Sequence, residues 1–308
     1  MSGKCFTSYE DQIQILISRG LNIPNHQKAI EILSFENYYR LINGYKDLFL
    51  STIGPAETYK IGASVSEIYA LYRFDEELKA QFLRAFLIIE NHLKALIAYE
   101  FAKVHGACEY LDATNYNYIA KNQVEINKLI GKIQGIIAAK SPYDRRLQHY
   151  QNNHNGDIPL WVIINLLTMG NASRFFKFMQ PMEQNEVARK FSMQPNVVNN
   201  YFNNITLARN ICAHGERFFT FRFGTEINIL PEHSMLHIPL RQSKPVVGVR
   251  DLFAVLIMVK YLLNDAVFFQ KMKNEIAQSL KELQEQLISV TIDEVMSTMG
   301  FPSNWQLV

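Results

Sequence analysis

Ser64–Gly106, SVSEIYALYRFDEELKAQFLRAFLIIENHLKALIAYEFAKVHG, carries the longest apolar pattern of the sequence. Its apolar residues recur at steps of three, four and seven, the spacing that places side chains on one face of an α-helix. The residues that set this face are Leu71, Leu78, Phe82, Phe86, Ile89, Leu93 and Ile97. The pattern predicts one long central helix that begins at the Ser64–Ser66 segment and ends at about Gly106.

Shorter patterns of the same kind lie on both sides of this helix. Ser8 and the acidic residues after it predict a capped helix that closes at Gly20. The other predicted helices are Asn25 through Leu33 or further, Gln123–Ala139, Asn196 to about Gly215, and one long or two shorter helices over Asp251–Leu287. The sequence therefore predicts an all-α fold.

Some segments depart from the helical pattern. Ser51–Pro55 predicts a loop, and Ser141-Pro142 with the polar run Gln151–Pro159 predicts another, about 15 residues long. The run Trp161–Met169 is expected to be buried. Alternating apolar and polar residues from Phe219 to Ile229 predict one short β-hairpin around Gly224. We divide the chain into an N-terminal helical layer (residues 1–60), a main helical domain (61–290) and a C-terminal tail (291–308).

The composition limits the class of protein. The formal net charge of +2 is too small to indicate nucleic-acid binding by charge alone, so any nucleic-acid site must be local. Cys5, Cys108 and Cys212 lie far apart, which argues against a disulfide scaffold and favours a reducing cytoplasm. The first ten residues lack the apolar core of a secretory signal peptide. The longest apolar run, Leu252–Leu263, is about half the roughly 20 residues of a membrane span, so no membrane partner is expected.

The segment Leu207-Ala-Arg-Asn-Ile-Cys-Ala-His-Gly-Glu-Arg217 carries the candidate catalytic residues, Arg209 and His214. Histidine titrates near neutral pH and can take and return a proton, and the arginine fork matches the oxygens of a phosphate. Together these side chains suggest cleavage of RNA. At 3.6 residues per turn, Arg209 points well away from His214. Either the helix is distorted before Gly215, or Arg209 of one subunit acts with His214 of another in a symmetric dimer. The alternative is a structural helix in which His214 caps the C-terminal end.

Asn210, His214 and Arg217 form one stripe on such a helix through steps of four and three residues. Asn210 is expected to orient His214 or to bond a phosphate oxygen, unless its side chain bonds its own backbone. Arg217 is expected to contact the RNA backbone, and the alternative is a solvated arginine at a helix end.

Glu90 lies on the apolar face of the central helix, where a carboxylate needs a partner. We expect it to orient Arg209 as a supporting residue. The alternative partner is Lys94, one turn further along the same helix.

Basic residues alternate with aromatic residues in two other places. Tyr39 and Arg40 lie in one such cluster, and Arg174 precedes two phenylalanines in the other. Such pairs can stack bases and hold phosphates of single-stranded RNA, and we name these three residues as candidate RNA-binding residues. The alternative is core aromatics with cations at the surface.

No cofactor or metal site is predicted. His149 and His154 lack the spacing of a zinc site, and no cysteine pair accompanies them. The sequence also lacks a glycine-rich phosphate loop, a serine nucleophile elbow and a kinase signature.

The string Arg209-Asn-Ile-Cys-Ala-His214 resembles the motif of HEPN-type ribonucleases. Together with Asn37–Leu41, Leu71–Asp75 and Pro159–Val162, it makes the chain similar to the bacterial Abi family of abortive-infection proteins, AbiD/AbiF type, from about Tyr9 to beyond Arg217.

This resemblance implies an HEPN-like helical bundle, a homodimer with a composite ribonuclease site, and metal-independent cleavage that leaves a 2′,3′-cyclic phosphate. It also implies RNA as the substrate, a role in growth arrest during phage infection, and a small RNA or an antitoxin as regulator. The alternative function is a non-catalytic helical module that binds RNA or a phage component and uses the motif for dimerisation.

Overall fold

The structure is a computed structural model that describes residues 6–54 and 56–308, so Cys5 and Pro55 lie outside the described residues. The helices in this part of the chain are α1 (Tyr9–Ser18), α2 (His26–Phe35), α3 (Val65–His105), α4 (Gln123–Lys140), α5 (Arg145–Asn153), α6 (Leu160–Ile163), α7 (Met169–Phe178), α8 (Pro181–Arg189), α9 (Pro195–Ala213), α10 (Pro231–Met235), α11 (Leu252–Leu263), α12 (Ala266–Gln284) and α13 (Ile292–Met299). The strands form two antiparallel pairs, β1 (Leu50–Thr52) with β2 (Thr58–Tyr59) and β3 (Leu240–Arg241) with β4 (Lys244–Pro245). The predicted all-α fold is confirmed.

Helix α3 is the central helix that the sequence predicts. Ser64 accepts a hydrogen bond from the Glu67 amide and the Glu67 side chain bonds back to Ser64, which starts the helix at the predicted position. Gly106, with φ at +99°, ends it. Helices α6 to α9, α11 and α12 pack around α3, so the motif helix rests directly on the central one.

The N-terminal layer contains the two predicted helices. Ser8 caps α1 and Asn25 caps α2, as expected from these residues. A π-helical turn over Tyr39–Asn43 and a 3₁₀ turn over Lys46–Phe49 follow them. The predicted loop after this layer is wrong in part, because β1 pairs with β2 there. Each strand is too short for its side-chain alternation to show in the sequence.

The predicted long loop between α4 and α6 is also wrong in part, because α5 occupies much of it. Asp144 caps this helix through the Arg146 amide, and Leu147 is its buried residue. One apolar residue among polar neighbours leaves no helical period to read. Nor is the expected burial of Trp161–Met169 complete, since Trp161 is 51% exposed while Leu160 and Ile163 beside it are buried.

The hairpin predicted around Gly224 is wrong. The Phe223 amide bonds to the Arg250 carbonyl and the Ile227 amide to the Val249 carbonyl, so this segment bonds to a distant part of the chain rather than to itself. Of its alternating apolar residues, Phe219, Phe223 and Ile227 are buried, whereas Ile229 is 57% exposed. A short hairpin does form further along the chain, where β3 pairs with β4.

The C-terminal part contains two helices, α11 and α12, within the predicted range. Residues 291–308 include α13 and pack against the rest through Val295, Met299 and Trp305, which are buried. The boundaries at residues 60 and 290 stay a prediction. Within the described ranges, no helix has both the length and the apolar composition that crossing a membrane requires.

Candidate functional site

Helix α9 presents the motif from a rigid support. Pro195 occupies its first turn, where proline is well tolerated. One face is buried against α3, α7 and α8 through apolar residues that include Phe202, Ile205 and Ala208. The opposite face, with Asn203, Leu207, Asn210 and His214, is exposed. The exposed stripe therefore runs along the helix and ends at the motif histidine.

His214 is the C-cap of α9 and is exposed. Its amide donates to the Asn210 carbonyl at 2.9 Å, a regular helical bond, so the helix is not distorted before this residue. The chain leaves the helix at Gly215, where φ is +67°. His214 thus stands at the helix end, as the structural alternative requires, and is also open to a ligand.

Arg209 lies on a different side of α9 from His214. Five residues at about 100° each place the two side chains about 140° apart around the helix axis. No hydrogen bond joins them in the part of the chain that the structure describes. Within one chain, the two motif residues therefore point to different sides of α9. A common ligand would have to span both sides of the helix, or contact Arg209 of one subunit and His214 of another.

Glu90 contacts both partners that the sequence offered. Its Oε2 lies 3.8 Å from Arg209 Nε, and its Oε1 accepts a hydrogen bond from Lys94 Nζ at 2.7 Å. Glu90 and Lys94 are each 6% exposed, whereas the Arg209 side chain is 29% exposed. Glu90 therefore connects the central helix to Arg209 and leaves the end of the arginine accessible.

Asn210 and Arg174 lie together, although no sequence pattern pairs them. Both line a groove of about 400 Å³ between α7 and α9. Both side chains are exposed. The groove thus joins one supporting residue of the motif to one of the candidate RNA-binding residues.

Arg217 does not lie on the stripe with Asn210 and His214, because α9 ends at Ala213. That geometric prediction is wrong. Its Nη1 donates to the Gly44 carbonyl at 2.6 Å and to Asp47 Oδ2 at 2.9 Å. Arg217 is therefore bound to the N-terminal layer rather than solvated.

Arg40 lies beside the motif from the N-terminal layer. Its Nη2 donates to Glu76 at 2.7 Å, and its guanidinium lies 5.6 Å from the centre of the Tyr72 ring. A Cβ placed on Gly215 would lie 3.0 Å from Arg40 Nη2, so this arginine adjoins the residue after His214. Tyr39, which is 76% exposed, lines a separate cleft of about 1020 Å³ in the N-terminal layer.

Asp75 is a site residue that the sequence pattern does not single out. It is fully buried, and its Oδ1 accepts from the Phe219 amide at 2.6 Å. Its Oδ2 accepts from the Phe218 amide at 2.9 Å and from the Tyr45 hydroxyl at 2.7 Å. Burial raises the pKa of Asp75, against the effect of these bonds and of Lys79. Its position between apolar residues of α3 was the signal that could have identified it.

Asp75 fixes the segment that follows His214. It joins the central helix, the N-terminal layer and residues Phe218 and Phe219 in one set of hydrogen bonds. Close by, burial raises the pKa of the Cys212 thiol, which suits a packing residue rather than a nucleophile. The described residues contain no group of three His, Cys, Asp or Glu side chains placed to hold a metal ion.

A family model described as Abi-like protein matches residues 31–220 of the chain. This range includes α3, α9, both motif residues, Arg40 and Arg174. It covers more than half of the chain. No curated protein and no solved structure matches the chain.

Proposed function

The chain belongs to the Abi-like protein family, and from this premise we propose that it is a metal-independent endoribonuclease of the HEPN type, related to the AbiD/AbiF proteins. Family membership supports a role in abortive infection. The observation that carries the ribonuclease proposal is the placement of Arg209 beside Glu90 with an exposed His214 at the end of the same helix.

Each motif residue has a role in this proposal. His214 moves protons at the ribose 2′-oxygen or at the leaving 5′-oxygen. Arg209 stabilises the negative charge that builds on the phosphate in the transition state. Glu90 restricts the arginine to one side of α9, and its contact at 3.8 Å supports that positioning role. Asn210, one turn before His214, orients the histidine or bonds a phosphate oxygen.

The reaction transfers two protons. The 2′-hydroxyl gives its proton to a base and its oxygen attacks phosphorus, which forms the 2′,3′-cyclic phosphate. The bond from phosphorus to the 5′-oxygen breaks, and that oxygen receives a proton from an acid. Because these oxygens lie on opposite sides of phosphorus, we propose that the His214 residues of two subunits supply base and acid in a symmetric homodimer.

An exposed apolar surface supports a contact with a second subunit. Tyr99 is 66% exposed and Trp161 is 51% exposed, and together with Ala95 they line a cleft of about 610 Å³ between α3 and the turn after α6. Large apolar side chains exposed together are typical of interaction surfaces. We propose that the protein acts on RNA in the cytoplasm and that a small RNA or an antitoxin inhibits it before infection.

The test is cleavage of a labelled single-stranded RNA in EDTA by wild type, His214→Ala and His26→Ala. His26 is exposed in the first turn of α2, and its side chain makes no hydrogen bond or ion pair with a described residue, so it serves as the matched control. We expect wild type and His26→Ala to release products with 2′,3′-cyclic phosphate ends and His214→Ala to release none. Cleavage by His214→Ala equal to that of wild type would show that the motif histidine has no part in the reaction.

The alternative function is a non-catalytic module that binds RNA or a phage component. It predicts that wild type free of bound RNA cleaves nothing even after a phage lysate is added. In that case RNA binding and protection against phage persist in His214→Ala. Retained protection without cleavage would therefore favour the binding module.

A further inference from the structure

The groove between α7 and α9 is lined mostly by polar side chains, and those of Asn171, Arg174 and Asn210 make no hydrogen bond to a described residue. Its volume is about 400 Å³, and pockets of this size hold one small ligand. The lining residues that matter are Asn171, Arg174, Asn203, Thr206, Leu207 and Asn210. Among the described residues, no carboxylate lines it, so its single charged group is a cation.

Asn171 offers an amide to the groove. The residue is 7% exposed and lines the groove, and its side-chain amide makes no hydrogen bond to any described residue. Its amide atoms are not among the buried polar atoms that lack a partner, so they are open to the groove. Asn171 therefore presents a donor and an acceptor that a polar ligand in the groove can use.

The neighbouring groups are also available. Ser173 Oγ donates to Asn203 Oδ1 at 3.0 Å, which fixes the Asn203 amide and leaves its nitrogen free to donate. Thr206 Oγ1 donates to the Phe202 carbonyl at 2.7 Å, so the hydroxyl oxygen can still accept. Arg174 makes no ion pair or hydrogen bond within residues 6–54 and 56–308. The groove thus presents amides, a hydroxyl and one unpaired guanidinium.

We propose that this groove binds one nucleotide of single-stranded RNA next to the cleaved phosphate. The Arg174 guanidinium binds a phosphate, and the amides of Asn171 and Asn203 bond the edge of the base. Leu207 packs against the face of the base. Asn210 lines the groove and lies one helical turn before His214, so a nucleotide held there adjoins the motif. The base edge must be unpaired to reach these amides, which selects single strands.

This inference rests on the proposed ribonuclease function, but it is tested by binding. The His214→Ala protein is titrated into fluorescein-labelled oligoadenylate, oligouridylate and oligocytidylate, and binding is followed by fluorescence anisotropy. Arg174→Ala, Asn171→Ala and Asn203→Ala are added to that background. Lys177→Ala, which removes an exposed cation of the same helix outside the groove, is the matched control.

We expect Arg174→Ala to weaken binding of every oligonucleotide by about tenfold, as the loss of a phosphate contact does. Asn171→Ala and Asn203→Ala should weaken the preferred oligonucleotide by about tenfold and the others less, because they read the base. Lys177→Ala should bind as the parent does. Since Asn203 is exposed, its variant remains informative if the buried Asn171→Ala fails to fold.

Unchanged affinity in both Arg174→Ala and Asn203→Ala would overturn the inference. Failure of the proposed function is distinguishable, because wild type would then cleave no RNA while the groove variants still change binding. The reverse result is that wild type and Asn203→Ala both cleave RNA with the same cut-site preference. That result would support the ribonuclease function and contradict nucleotide binding in the groove.

Discussion

Glu90 Oε2 lies 3.8 Å from Arg209 Nε, across the contact between the central helix and the motif helix. Both atoms are buried and neither makes a hydrogen bond within the described part of the chain. The other oxygen of Glu90 is bound to Lys94. The carboxylate is thus shared between two cations, one buried and one that reaches solvent.

Removing the Glu90 charge should lower both the stability of the fold and the rate of RNA cleavage. We expect Glu90→Gln to lower the free energy of unfolding by about 3 kcal/mol, because Lys94 is left as a buried charge without a counter-ion. Urea denaturation followed by circular dichroism measures this. RNA cleavage should fall by at least about tenfold, since Arg209 loses its positioning partner. Glu125→Gln, which breaks an exposed pair with Lys128, should change the free energy by less than about 1 kcal/mol. Equal stability of Glu90→Gln and Glu125→Gln would contradict the prediction.

Asp75 should be the most sensitive carboxylate of the segment after His214. Asparagine offers one oxygen where Asp75 uses two, so Asp75→Asn leaves a buried donor unsatisfied and should cost about 3 kcal/mol. Tyr45→Phe removes a single hydroxyl bond and should cost about 1 kcal/mol. Thermal and urea unfolding give both values. The control is Asp47→Asn, whose carboxylate is 60% exposed. A larger loss in Tyr45→Phe than in Asp75→Asn would contradict the role of Asp75 as the central acceptor.

The elements that the sequence predicts well are those whose signals are local. Helix α3 shows both its apolar face and its cap, Ser64 with Glu67, within a few residues of chain. Helix α9 begins at Pro195 and ends beside Gly215, two residues with strong positional preferences. Periodicity and capping depend on neighbours in the chain, so a single sequence is enough to read them.

The features that the sequence does not reveal depend on distant residues. Arg217 is held by the Gly44 carbonyl and Asp47, more than 150 residues earlier in the chain. Asp75 binds amides of Phe218 and Phe219, at a similar distance. The apolar alternation before Gly224 indicates burial, but it cannot show that the burying partner is a loop rather than a second strand. Such pairings follow from the fold and leave no local pattern.

The ion pairs beside the motif should make stability depend on pH. Burial acts to raise the pKa of Glu76, but Lys79 and Arg40 outweigh it and hold that pKa below its ordinary value of 4.5. A carboxylate with a lower pKa in the folded state stabilises the fold above its unfolded pKa, and this contribution is lost as the pH falls through the folded pKa.

We therefore expect Glu76→Gln to be less stable than wild type by about 1 kcal/mol at neutral pH, a modest value because the Glu76 side chain is partly exposed. The difference should vanish in strong acid, where the wild-type carboxyl is protonated. Urea unfolding of both proteins at several pH values measures the difference. Glu77→Gln, a change at an exposed neighbour with no ion pair among the described residues, is the control. A difference that persists or grows in acid would contradict the sign.

A heterodimer tests whether two copies of His214 act together. Wild-type and His214→Ala chains with different tags are expressed together, and the mixed dimer is purified through both tags in turn. If base and acid come from the two His214 residues, the mixed dimer should retain less than about one tenth of wild-type cleavage, because proton transfer by a positioned group contributes far more than tenfold. A dimer of wild type with His26→Ala, purified in the same way, should be fully active. About half of wild-type activity in the His214→Ala heterodimer would mean that each subunit cleaves RNA with its own histidine. Failure to recover any mixed species would contradict the proposed homodimer.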